Sequence, residues 1–127
     1  MSVGVPMKAV ESVADLSLSE LAKLLADFAS DRNWQKFHTP RNLAGALVAE
    51  VGELFESFLW MNDEQIAEAS SELKAAIGDE LADVLIYLVR LSDVVGVDLT
   101  EAVITKFEKN GRRYPAQEVW GSSAKRP

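Results

Sequence analysis

The chain has 127 residues, no Cys, 3 Trp, 7 Gly and 4 Pro, with 48% apolar and 26% charged residues, a profile that fits one ordinary globular domain. Its 13 Lys and Arg against 20 Asp and Glu leave a formal charge of −7, which opposes binding to nucleic acid or to an anionic lipid surface. Without Cys there is no disulfide framework, thiolate nucleophile or Cys zinc site, so a metal here must be held by oxygen or by the single His.

No apolar run approaches the roughly 20 residues that span a bilayer, and the first 16 residues lack a basic n-region and a continuous apolar h-region, so a cytoplasmic protein is expected. Residues 1–16 mix Gly, Pro and small residues without period, and residues 116–127 read as a short polar tail; both ends are expected to be flexible around a domain at 17–115.

Ser17-Leu18-Ser19-Glu20 is a capping box, and Leu18, Leu21, Leu24, Leu25 and Phe28 follow at steps of three and four, predicting a first helix that ends near Arg32. Thr39-Pro40 opens a second with a hydroxyl cap and a proline whose missing N–H costs nothing there. Its main stripe is Leu43, Leu47, Val51, Leu54 and Phe58, widened by Phe55 and Leu59 toward a second neighbour. Asn62-Asp63 caps a weaker helical segment, 63–75, with a break near Ser70-Ser71. Glu80 to Val95 is a strongly apolar third helix, closed by Gly96 as a C′ cap. Asp98 caps a fourth, through Val103, Ile104 and Phe107, which Asn110-Gly111 is expected to end.

No segment carries a useful β period, so the fold class is all-α, a four-helix bundle with short connections. The second and third helices are apolar on more than one side, which predicts packing against another copy, a homo-oligomer of two or four chains.

Glu50 and Glu53 are three residues apart, as are Glu80 and Asp83, so each pair shares a helical face. At ~100° per residue, Glu50 falls at the margin of the apolar stripe and Glu80 and Asp83 fall beside Val84 and Tyr87, so the acids are aimed inward. Crowded carboxylates in a poorly solvated site repel one another and call for protons or cations. Oxygen ligands from two facing helices suit Mg²⁺, which commonly bridges protein acids to substrate phosphates. The competing reading is of surface acids paired with Lys and Arg. A di-iron bundle needs ExxH motifs, and the one histidine, His38, lies outside both pairs.

Further residues carry a resemblance. Arg32-Asn33-Trp34, Phe37-His38-Thr39-Pro40-Arg41-Asn42-Leu43 and Glu50-Val51-Gly52-Glu53-Leu54 come first. Glu80-Leu81-Ala82-Asp83-Val84-Leu85-Ile86-Tyr87-Leu88, Val97-Asp98-Leu99 and Lys109-Asn110-Gly111-Arg112-Arg113-Tyr114-Pro115 follow in order. Together they resemble the all-α nucleoside triphosphate pyrophosphatases of the MazG superfamily, and within it the small dCTP pyrophosphatases. The resemblance implies Mg²⁺-dependent hydrolysis between the α and β phosphates of dCTP or a modified dCTP, yielding monophosphate and pyrophosphate and cleaning the nucleotide pool.

It also implies that Glu50, Glu53, Glu80 and Asp83 are the metal ligands and catalytic acids. Glu53 is the preferred general base, because a ligand directed past the metal also reaches the attacking water. Trp34, His38, Trp60 and Tyr87 correspond to nucleobase-pocket positions, with helix-end capping as the competing role for the two Trp. Lys106 and Asn110 are the candidates for phosphate contact, against a competing role for the basic stretch in balancing a helix dipole. The short 63–74 segment replaces a longer loop of some dCTP-directed members. A broad or dUTP-directed pyrophosphatase is therefore the alternative enzyme, and a non-catalytic helical adaptor the alternative outside catalysis.

Overall fold

The structure, a computed structural model, describes residues 15–127. The expectation for the first 14 residues lies outside that range. Among the described residues there is no strand, and the chain folds into four long helices and two short ones: α1 (Leu18–Asp31), α2 (Pro40–Leu59), α3 (Asp63–Ala67), α4 (Ser71–Val94), α5 (Leu99–Arg113) and α6 (Ala116–Val119).

Side-chain caps set the helix starts. Ser17 Oγ accepts from the Glu20 N–H at 3.0 Å, although the reciprocal half of the box is altered: the Glu20 carboxylate takes the Ser17 hydroxyl instead of its backbone N–H. Thr39, Ser70 and Asp98 cap α2, α4 and α5 in the same way. Asn62 and Gln65 form the complete capping box, each side chain accepting the other's backbone N–H.

Two helices end in the same Schellman arrangement. After α1, Asn33 adopts φ +53°, and the N–H groups of Asn33 and Trp34 return to the carbonyls of Ser30 and Ala29 at 3.1 and 2.9 Å. After α4, Gly96 at φ +77° does the same, with Gly96 and Val97 bonded back to Asp93 and Ser92 at 3.1 and 2.8 Å. The glycine cap is as the sequence predicts.

Three expectations are corrected. The 63–75 segment breaks at Ser70, but its second half belongs to α4, because Leu73 and Ile77 extend the inward line of the apolar helix backward to Ser71. Asn110-Gly111 does not end α5. Gly111 lacks a positive φ, the Asn110 carbonyl takes the Tyr114 N–H at 2.8 Å, and the helix runs on until Pro115 forces the residue before it out of helical geometry. The inward line of α2 is Leu43, Leu47, Glu50, Leu54 and Phe58, whereas Val51 is 47% exposed.

α2 pairs with α4 along most of its length, α1 lies against α4, and α5 touches α1. The pair is antiparallel: His38, just before α2, reaches Arg90 late in α4, while Glu50, near the middle of α2, meets Glu80 and Asp83 near the middle of α4. The core of a single chain is thin. Among the described residues only Ala29, Leu43 and Val89 are fully buried apolar side chains. Beyond α5 the chain turns back on itself, with the carbonyl of Arg126 accepting from Arg113 Nε and the Arg126 guanidinium on Glu118 at 3.1 Å. No described helix is long and apolar enough to cross a membrane.

Candidate active site

The α2–α4 pairing brings the two acidic motifs face to face. Carboxylate oxygens of Glu50, Glu80 and Asp83 lie within 4.8 Å of one another, and all three side chains are partly buried. Oε2 of Glu50 and Oε2 of Glu80 are buried with no hydrogen-bond partner. Such orphaned acceptors are costly unless a cation or proton meets them. Glu53 lies outside the trio and is exposed, but it is close enough for its carboxylate to raise the pKa values of both Glu50 and Glu80.

The crowding is visible in the acidities. Desolvation, followed by the neighbouring carboxylate of Glu53 and the charges of Asp83 and Glu80, pushes the Glu50 carboxyl up to about 7. The Glu80 carboxyl is raised by desolvation first and by Glu53 next. The donor set is all oxygen and all anionic, with two buried carboxylate oxygens left unpartnered. It fits a hard divalent cation.

An aromatic cavity of about 180 Å³ adjoins this cluster. Its α1 side carries Leu25 and Phe28, the connecting turn supplies Trp34 and His38, and α4 supplies Asp83, Ile86, Tyr87 and Arg90. Asp83 therefore belongs both to the acidic trio and to the cavity wall.

Local structure explains the aromatic side. Trp34 is the residue after the left-handed Asn33, the position from which a Schellman motif turns an apolar side chain back on its helix. It meets Phe28 edge to face, with ring centroids 5.9 Å apart, and the Arg32 guanidinium covers the Phe28 ring at 3.5 Å. The next turn, with His38 N–H bonded to the Gln35 carbonyl at 3.1 Å, carries the imidazole to 6.3 Å from the Trp34 ring.

Of the residues singled out in the sequence, Glu50, Glu80 and Asp83 come together in one cluster, and Trp34, His38 and Tyr87 line one cavity. Trp60 does not join them; it is the C-cap of α2 and 87% exposed. Lys106 lines a shallow groove with Asp98, Glu101 and Lys109, and Asn110 lies in the last turn of α5, so neither borders the cavity or the trio. Sequence reasoning missed Phe28 as a cavity residue, since its spacing placed it in the apolar stripe, and missed Arg90 altogether. Arg90 did leave a signal: it is a lone cation inside Tyr87-Leu88-Val89-Arg90-Leu91, where an apolar helix has no packing use for charge.

An all-helical chain with paired carboxylates from two facing helices and an aromatic cavity beside them defines a class. Residues 46–125 match the MazG-like family, and the chain belongs to that family. It is 47% identical over 111 residues to dCTP pyrophosphatase 1 of Bos taurus, covering 86% of this chain and 66% of that protein. To the Homo sapiens protein of the same name it is 48% identical over 111 residues, covering 86% and 65%. The chain thus spans just under two thirds of the length of these curated relatives. Among solved structures, a pyrophosphatase from Archaeoglobus fulgidus DSM 4304 superposes with a TM-score of 0.72 at 40% identity, covering 82% of this chain and 99% of that one.

Proposed function

We propose that the chain is a Mg²⁺-dependent nucleoside triphosphate pyrophosphatase of the cytoplasm. It takes dCTP or a modified dCTP and releases the monophosphate and pyrophosphate. The observation that carries this reading is the double membership of Asp83: the place for a phosphate-neutralising cation and the place for a flat heterocycle share a wall. The names of the mammalian relatives point to the same substrate.

In this reading Glu50, Glu80 and Asp83 hold Mg²⁺, with Glu53 completing the set from the exposed side. Bound there, the ion neutralises triphosphate charge and acidifies the attacking water. Glu53 accepts the proton that the water loses, because it is exposed and yet stands beside the cluster whose pKa values it raises. The water oxygen bonds to the α-phosphorus, the bond from that phosphorus to the α–β bridging oxygen breaks, and pyrophosphate leaves. Trp34, His38 and Tyr87 hold the base so that the α-phosphate rests beside Asp83. Lys106 and Asn110 take part in phosphate contact, and Trp60 in the base pocket, only through a neighbouring subunit, given where they lie in one chain.

The oligomer belongs to the same proposal. Val48 and Phe55 on α2, Leu81 on α4, and Val103, Ile104 and Phe107 on α5 are all more than half exposed in one chain. Large apolar side chains left this exposed on three helices favour a covering partner, and a second copy with the same faces supplies one.

Product analysis tests the reading: purified protein with Mg²⁺ and each common dNTP and NTP, resolving mono- and diphosphates, phosphate and pyrophosphate. Monophosphate plus pyrophosphate, strongest with dCTP, is the expected result. The same products spread evenly over bases, or strongest with dUTP, replace the dCTP assignment. No turnover refutes the enzyme.

A further inference from the structure

The cavity wall holds a buried cation that the proposed hydrolysis does not use. Arg90 is 8% exposed, near the end of α4, in a helix stretch that is otherwise apolar. Its guanidinium has two side-chain partners. Nη1 reaches Asp93 at 3.3 Å, and Nε–H donates to Nδ1 of His38 at 3.0 Å, linking residues 52 positions apart in the chain. His38 is the only histidine of the protein.

An imidazole that accepts at Nδ1 is neutral and carries its proton on Nε2. Burial, and then the charge of Arg90, hold the His38 pKa below its ordinary value, in keeping with that neutral form. Both residues line the cavity beside Trp34 and Tyr87. His38 then has one polar group left to offer, a donor, and it stands next to a guanidinium, which has only donors.

We propose that Arg90 is a specificity-determining positioning residue: its Nε–H locks His38 in the Nε2–H form, so that the cavity presents donors and selects a base edge made of acceptors. This rests on the nucleotide reading of the site. Cytosine presents adjacent acceptors at O2 and N3 on its Watson–Crick edge. Uracil and thymine carry a proton on N3, which meets a donor with a donor. A site built to hydrogen-bond one edge rejects the mismatched edge strongly, because a buried polar group is left unpaired.

The test joins a spectroscopic readout to a kinetic one. With a single histidine, long-range ¹H–¹⁵N correlation of the ¹⁵N-labelled full chain reports the imidazole tautomer without assignment. Expected in the wild type is one protonated nitrogen, Nε2, and one acceptor nitrogen, Nδ1. Arg90→Met keeps the aliphatic bulk and removes the donor; the two nitrogens should then move toward the averaged shifts of exchanging tautomers. The ratio of kcat/KM for dCTP over dUTP should fall by about tenfold or more. His38→Gln, which retains a side-chain N–H donor, should keep more of that ratio than His38→Leu, which has none.

A wild-type spectrum with the proton on Nδ1 overturns the lock. An unchanged base ratio in a folded, active Arg90→Met protein overturns the selectivity. If that variant does not fold, the His38→Gln and His38→Leu pair decides, equal ratios counting against the proposal. Wild-type protein that turns over no nucleotide while its imidazole shows the Nε2–H form refutes the enzymatic reading, and the selectivity built on it, but not the lock.

Discussion

The acidic cluster makes a quantitative demand on cation binding. With the Glu50 carboxyl near 7, simple titration leaves about 0.9 of a proton on it at about pH 6, about 0.5 at about pH 7 and about 0.1 at about pH 8. A carboxylate must shed its proton to hold Mg²⁺, so binding releases that amount, and Glu80, whose carboxyl is also raised, adds to it. Below its pKa the apparent Mg²⁺ affinity weakens by up to about tenfold per pH unit for each such group. The sign for folding runs the other way. A raised carboxyl contributes stability that is fully present below its ordinary value of 4.5 and is lost as pH rises through about 7. The metal-free protein therefore loses stability over this window, and Mg²⁺ restores most at its alkaline end. Titration calorimetry of Mg²⁺ in buffers of different ionisation enthalpy counts the protons, and Glu50→Gln identifies them. The variant should release fewer protons near pH 6, and its metal-free melting temperature should depend less on pH than that of the wild type. Mg²⁺ binding without proton release near pH 6, or with release unchanged in Glu50→Gln, refutes the picture of acids crowded around a cation site.

Trp34→Ala removes a ring from the cavity but no acid, so it should raise KM or change base preference while leaving the Mg²⁺-induced thermal shift in place; an unaltered profile across nucleotides counts against the cavity as the base site. Leu43→Ala, at a side chain 2% exposed, should cost about 2–5 kcal/mol in denaturant unfolding, since it opens a cavity in the thin core; a loss under about 1 kcal/mol places the stabilising contacts elsewhere. Phe107→Glu, on a side chain 79% exposed in one chain, should lower the oligomeric state seen by light scattering. No change takes this face out of the subunit interface.

How much was legible beforehand differs by kind of feature. Caps could be read because the chemistry is local: Ser17, Thr39, Asn62 and Asp98 each bond to a backbone N–H three residues on. Gly96 could be read for the same reason. Asn33 could not, since an asparagine takes a left-handed conformation only where the fold asks for it, and with it the placing of Trp34 beside Phe28 was hidden. The inward turn of Glu50 was visible as a helical angle near the margin of the stripe, yet the exposure of Val51 was not, because the two residues point about 100° apart and flank the stripe on either side, and periodicity does not say which flank turns inward. The pairing of His38 with Arg90 spans 52 positions. No periodicity links residues on different elements; that contact appears only once α2 and α4 have set their register.

That register has a consequence for how such a site can change. Glu80, Asp83, Tyr87 and Arg90 recur at steps of three and four, so one stripe of α4 carries two of the cation-facing acids and one wall of the cavity. Residues on this stripe are harnessed together: a substitution that tilts or rotates the helix to admit a new base also drags the carboxylates away from the phosphate. On the opposite wall only His38 is tied to this stripe, through its hydrogen bond with Arg90. Leu25, Phe28, Trp34 and His38 come from α1 and the turn after it, and none belongs to the acidic trio. Divergence in base preference, by selection or by design, has its free hand on that side, where discrimination can drift while the hydrolytic machinery stays still.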